Sequence, residues 1–385
     1  MVSEVLNGIP ESYFGKTMGR KLEVGAKPLI NLAVGIPDKP VPEVVLKEMS
    51  EAILRPENNK YGVFRGKETF KNAIQKFYKD VYQVDINHDE ICILYGTKSG
   101  LVHLPTCIVE PGEGVMLPDP GYTDYLAGVH LARAKHYVLP LQPEHHYLPQ
   151  WDQLNQDELG NTRLIYLNYP SNPTGAVATS AFFDDTVKRF KNTKTKIVHD
   201  FAYAAFGFEQ ENPSILQSPG AKDVAIEIYS LSKGFNMSGF RVGFAVGNKE
   251  MIESLNRYQD HTQVGMWGAL QDASIAALSL GAPFLEAQNE LFKTRRNKVV
   301  TRLEKIGLPF EPLQGGIFLW LKVPPEFKSE AYVDFLLKSE SILVTPGIPF
   351  GKNGDDYVRV SLAVDDALLY EFLDRIENTK VLYEV

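Results

Sequence analysis

Residues 225–246 read AIEIYSLSKGFNMSGFRVGFAV: an apolar run, a turn carrying a single amine, and a second apolar run. Ala225–Tyr229 and Arg241–Val246 are rich in the β-branched and aromatic residues of buried strands. Ser230, Ser232, Lys233 and Arg241 therefore collect at the carboxyl end of a strand. Two hydroxyls, an amine and a guanidinium within twelve residues suit a phosphorylated carbonyl compound. The amine would form an imine, while the hydroxyls and the guanidinium fork would hold phosphate oxygens. Taken alone, Lys233 reads more readily as a surface lysine.

Working outward, the same alternation recurs. Glu90–Leu94, Gly114–Leu117, Arg163–Leu167 and Lys196–His199 read as short buried strands, with helical patterns such as Lys98–Ile108 and Ala181–Phe190 between them. Strand–helix alternation over this length predicts an α/β large domain, a mostly parallel central sheet flanked by helices. Ligands of such sheets sit at the carboxyl ends of the strands. Beyond residue 282 the pattern changes to a long helix over 283–305, an aromatic strand over 316–321, a strand over 357–362 and a terminal helix over 365–376. These predict a smaller α+β domain. The expected division is 1–44 as an N-terminal arm and part of the small domain, 45–282 as the large domain and 283–385 as the small one.

Other strand ends carry further candidates. Asp200 follows Lys196–His199 and needs a cationic or hydrogen-bonding partner if buried; a helix cap is its plainer reading. Tyr203, three residues on, is a second ligand candidate or a core aromatic. Asn172 lies in Tyr169–Gly175 (YPSNPTG), whose prolines force a turned path. Gly96-Thr97-Lys98-Ser99-Gly100 begins a helix with small residues, leaving backbone N–H groups free for an anion. Tyr122 follows Pro118-Asp119-Pro120-Gly121 and suits stacking on a planar group, or a surface turn. Arg359, mid-strand in the small domain, calls for an anion: a substrate carboxylate or a structural salt bridge.

Composition narrows the classes. The 385 residues are 44% hydrophobic and 23% charged with a formal net charge of -8. That is ordinary globular composition, and it gives no electrostatic reason to expect nucleic acid or an anionic membrane. Cys92 and Cys107 are the two cysteines, without partners at metal-ligand spacing, so no metal site is expected. No stretch has the apolar length of a membrane span, and residues 1–8 show no secretory pattern. The expected compartment is the cytoplasm.

Together and in this order, NPTG at 172–175, the pair Asp200 and Tyr203, and SLSKGFNMSGFRVG at 230–243 resemble the class I/II aminotransferases of pyridoxal-phosphate fold type I. This family is aspartate aminotransferase-like, and the resemblance leans toward its LL-diaminopimelate and broad-specificity members. It implies pyridoxal 5'-phosphate as cofactor, held as a Schiff base on Lys233, with Asp200 on the ring nitrogen and Asn172 and Tyr203 on the phenolic oxygen. Thr97, Lys98, Ser230, Ser232 and Arg241 would bind the phosphate, and Tyr122 would stack on the ring. Gly35, Asn172 and Arg359 would meet the substrate. Tyr61 matches a tyrosine that reaches the neighbouring subunit's cofactor, which implies a homodimer with shared active sites. The implied reaction is ping-pong exchange of an amino group between an amino acid and a 2-oxo acid. A lyase on the same fold and a non-catalytic cofactor-binding regulator are the alternatives. Residues 260–267 (DHTQVGMW) hold no Arg or Lys, so aspartate-type recognition is not supported. Aromatic, branched and diamino-dicarboxylic substrates stay open.

Overall fold

The computed structural model describes residues 2–11 and 24–383; residues 12–23 of the expected N-terminal arm lie outside them. The strands are β1 (Ile30–Asn31), β2 (Ile91–Leu94), β3 (Gly114–Asp119), β4 (Lys135–Pro140), β5 (Thr162–Asn168), β6 (Lys196–Phe201), β7 (Ala225–Ser230), β8 (Gly243–Gly247), β9 (Phe318–Lys322), β10 (Ile342–Leu343), β11 (Thr345–Pro346) and β12 (Tyr357–Ser361).

A seven-stranded sheet runs in the order β2-β8-β7-β6-β5-β3-β4. The pairs from β7 through β4 are parallel, and β8 is antiparallel to both of its neighbours. The expected mostly parallel α/β sheet is thus borne out. Its inner strands are buried at all but one position each in β3, β5 and β6, and at every position in β7 and β8. Covering both faces with helices forces this, because each exposed face would leave apolar side chains in water. The carboxyl ends of β3, β5, β6 and β7 bring Asp119, Asn168, Asp200 and Ser230 to one edge of the sheet.

Three local expectations shift. Arg241 is not in a strand: β8 begins at Gly243, and Arg241 adopts a left-handed backbone with φ 55°. There the chain reverses, bringing the guanidinium against Gly96. Asp200 lies inside β6 rather than beyond it, since pairing with β7 continues to Phe201. β4 went unread because it is an edge strand whose side chains are mostly exposed, its short Tyr137-Val138-Leu139 run being flanked by Lys135, His136 and Pro140.

A second, antiparallel sheet, β11-β12-β9, places Arg359 opposite Trp320 and Thr345. The helix Gly281–Ile306 joins the two parts, with Leu285 in the core beneath the large sheet and Phe292 to Ile306 in the core of the second. Buried Arg295, midway along it, grips Asp38 through two hydrogen bonds of 2.7 Å and Asp366 through one of 3.0 Å. That clamp fixes the segment Asn31–Asp38, which lies along the cavity described next. Among the described residues no helix is long and apolar enough to cross a membrane.

Candidate active site

Between the carboxyl edge of the large sheet and the second sheet lies a cavity of about 840 Å3. Its walls include Gly35, Thr97, Lys98, Tyr122, Asn172, Asp200 and Tyr203. Ser230, Ser232, Lys233, Arg241 and Arg359 complete the set. Twelve positions singled out from sequence therefore converge on one space. Tyr61 does not: it is 89% exposed and lies outside this lining.

Lys233 sits on the short turn after β7, and its amine donates to the Gly35 carbonyl. Burial first, and then the positive charges of Arg359 and Arg241, lower its pKa to about 8. A lysine so placed is a usable nucleophile and proton carrier near neutral pH, which an exposed lysine is not.

Asp200 is buried, and burial raises its pKa. Its carboxylate accepts from the Tyr125 hydroxyl at 2.7 Å and the Ala202 N–H at 3.2 Å, both neutral groups. A cation facing it from the cavity would reverse the cost of burying that charge. At the opposite end, Gly96 has φ 77°, and a Cβ there would lie 2.5 Å from the Arg241 guanidinium. Only glycine leaves this space, beside the N-terminus of the helix Thr97–Ile108. The Ser230 hydroxyl accepts from the Ser232 N–H at 3.1 Å. Hydroxyls, guanidinium and free helix N–H groups together make an anion cradle.

Arg359 donates to the Asn172 amide oxygen and the Ala33 carbonyl, each at 2.8 Å. Its guanidinium lies 4.0 Å from the centre of the Phe318 ring and 5.0 Å from that of Phe350. These contacts hold the planar fork in one orientation facing the cavity. Lys98 pairs with Asp124 at 2.7 Å, and Tyr122 stands edge-on to Tyr125.

Several contributors escaped the motif reading. Tyr125 is three residues past Tyr122, but nothing local marks it as a partner of Asp200. Asn168 ties the site together: its amide donates to the Asp200 carbonyl and its oxygen accepts from the Asn172 N–H, both at 2.8 Å. Behind the strand, fully buried His199 has Nδ1 2.8 Å from Glu227 and Nε2 2.9 Å from the Tyr169 carbonyl. Glu227 also accepts from Tyr78, Ser214 and the Ile215 N–H. His199 and Asn168 thus pin the 169–172 turn from two sides. The sequence signal was present, a His inside an apolar strand, though its partners are distant in the chain.

The expected result for His199→Phe is a folded but weakened protein. The Tyr169 carbonyl loses the imidazole that it faces, at a cost of about 1–3 kcal/mol, while Glu227 keeps its three other donors. Denaturant unfolding reads this directly, and a loss below about 1 kcal/mol would show that the clamp is dispensable.

A buried carboxylate facing the cavity, an anion cradle at its far end and an amine of lowered pKa fit a phosphorylated aldehyde built on a basic planar ring. Comparison with known proteins agrees. The family model described as aminotransferase class I and II matches residues 27–376. An L-glutamine--4-(methylsulfanyl)-2-oxobutanoate aminotransferase of Bacillus subtilis (strain 168) is 44% identical over 379 residues, covering 97% of this chain and 95% of its own. An LL-diaminopimelate aminotransferase of Aquifex aeolicus (strain VF5) is 39% identical over 363 residues, covering 94% of each. The solved structure of an aminotransferase from Staphylococcus aureus superposes with a TM-score of 0.96 at 56% identity, covering 99% of this chain and 100% of that one.

Proposed function

The chain belongs to the class I and II aminotransferases, pyridoxal-phosphate-dependent transaminases, and from that premise we propose how its own residues divide the work. Lys233 carries the cofactor and moves the proton, Asp200 holds the proton of the ring nitrogen, and Asn172 and Tyr203 face the phenolic oxygen. Ser230, Ser232, Arg241 and the Thr97 and Lys98 end of the helix hold the phosphate, and Tyr122 covers the ring. One observation carries this reading: the Lys233 amine shares a single cavity with Asp200, Arg241 and Arg359.

Bound there, pyridoxal phosphate supplies an electron sink that makes the substrate Cα proton acidic. Arg359 takes the substrate carboxylate in its fork, beside Gly35 and Asn172, and so fixes which Cα bond faces Lys233. The Lys233 amine would remove the Cα proton and deliver it to C4′ of the cofactor, the carbon across the shared nitrogen. Phe318, which is buried, lines the same space and would limit the water around that transfer. One site serves both half-reactions, so the 2-oxo acid leaves before the second substrate enters, and the kinetics are ping-pong.

The substrate side chain meets mostly apolar groups: Leu29, Val34, Ile36 and Leu343 line the cavity. Of its four cationic side chains, Lys98 is already paired with Asp124, and the other three have roles above. We therefore favour donors with uncharged side chains, thioether, branched or aromatic. The name of the Bacillus relative, which specifies a methylsulfanyl oxo acid, supports the same choice. Tyr61 supports a homodimer: with Val63 and Phe64, each 57% exposed, it forms an apolar surface suited to a second copy. Sedimentation velocity reads that state. The arm and domain bounds stay as 1–44, 45–282 and 283–385. A cytoplasmic location accords with two free thiols, Cys92 and Cys107.

Acceptor dependence separates transamination from elimination. With a donor amino acid, sustained 2-oxo acid formation is expected only when an acceptor 2-oxo acid is supplied. Ammonia release at the same rate without an acceptor would assign the chain to the lyases.

A further inference from the structure

Asp119 ends β3, three residues before Tyr122, and ties the large sheet to the second one. Its carboxylate accepts two successive backbone N–H groups, from Lys352 at 3.2 Å and from Asn353 at 3.1 Å, one on each oxygen. The Asn353 side-chain amide donates back to the Asp119 carbonyl at 3.2 Å, and the Gly121 N–H donates to the Phe350 carbonyl at 2.8 Å. Gly351 lies against the same carboxylate: its φ is 132°, and a Cβ there would stand 2.1 Å from Asp119 Oδ1. Only glycine gives the backbone that approach and that conformation. Four hydrogen bonds and one obligatory glycine thus join residues 119–121 to residues 350–353.

What the junction holds is the surroundings of Arg359. Residues 347–356 connect β11 to β12, the strand that carries Arg359. Within that connection Phe350 is buried, with its ring centre 5.0 Å from the Arg359 guanidinium. The same ring stands edge-on to Trp320, the residue opposite Arg359 on β9. We propose that Asp119 is a positioning residue for the substrate carboxylate: by holding the 350–353 segment against the end of β3, it sets where the Arg359 fork stands relative to Lys233. A carboxylate suits the task, because a charged acceptor binds N–H groups more strongly than a neutral one. This role presupposes that Arg359 takes the substrate carboxylate, as proposed above, and the test keeps the two apart.

Cofactor-loaded protein would be mixed with aminooxyacetate or with O-methylhydroxylamine, and the absorbance band of the Lys233-bound cofactor followed as it disappears. Both reagents displace Lys233, but only the first carries a carboxylate for Arg359. The ratio of their second-order rate constants, relative to the ratio on free pyridoxal phosphate, therefore reads carboxylate recognition without turnover. Wild type should favour aminooxyacetate, and Arg359→Leu should abolish the preference. Asp119→Ala should cut the preference by about tenfold or more, since an ångström of misplacement can cost about 10²-fold, while the O-methylhydroxylamine rate holds. Asp119→Asn, which keeps one acceptor oxygen, should fall between, and it carries the test if Asp119→Ala does not fold. A preference lost in Arg359→Leu but intact in the Asp119 variants would overturn the proposal alone. So would an equal loss with both reagents, the mark of a general prop of the site. A preference that survives Arg359→Leu would overturn the reading of Arg359 and this proposal with it.

Discussion

Lys233→Ala should lose at least about 10⁴-fold in turnover, the upper end of what a positioned proton-transfer group contributes. The upper end applies because the proposed mechanism gives one side chain two jobs. There its amine is both the attachment point for the cofactor and the base at the substrate Cα, so the substitution would remove nucleophile and proton carrier together. No other lysine can substitute from within the described lining: Lys98 is the only other one there, and its amine is committed to Asp124 at 2.7 Å. The variant should fold, since alanine vacates space that already opens into a large cavity. Steady-state assays with saturating cofactor check the loss. Turnover within tenfold of wild type would remove Lys233 from the mechanism.

Asp200→Asn is the second large effect. Asparagine keeps the shape, and its amide oxygen can still accept from the Tyr125 hydroxyl, but it cannot balance a positive charge on the ring. Separating a buried charge from its partner costs about 3–5 kcal/mol. If that cost falls on the transition state, the rate drops by about 10²- to 10⁴-fold. The direction of the Asp200 shift sharpens the point. Burial raises its pKa in the protein by itself, so the carboxylate is most at ease when a cation occupies the cavity before it. Asp200→Asn should therefore also weaken cofactor retention, read as faster loss of cofactor on dialysis. Unchanged turnover together with unchanged retention would contradict the role.

Much of this site was legible because parallel strands deliver their functional groups at one predictable end. The apolar runs of β5, β6 and β7 located those ends and put Asn172, Asp200 and Lys233 near them, while the roles of the three rest on the family resemblance. Arg359 was legible for a different reason: a guanidinium amid Tyr357, Val358, Val360 and Leu362 has to meet something polar. What escaped was contact made across the chain. Tyr125 on Asp200, Asn168 bridging Asp200 to Asn172, and His199 on Glu227 join residues 28 to 75 positions apart or sit behind the strand. No periodicity or turn signal encodes such pairs. The left-handed Arg241 was missed because its type favours no such conformation; the need to return its guanidinium to Gly96 imposes it. The edge strand β4 was missed because solvent, rather than core, faces most of it.

The most direct test of the central claim is where and how the cofactor attaches. Cofactor-free protein would be mixed with pyridoxal phosphate over a range of pH, reduced with borohydride, digested and mapped by mass spectrometry. The account predicts one adduct per chain, on Lys233 alone. Only the neutral amine attacks, so the initial rate should rise as pH increases through about 8 and level off above it. Label spread over other lysines, or a Lys233 adduct whose formation shows no rise across that range, would contradict it.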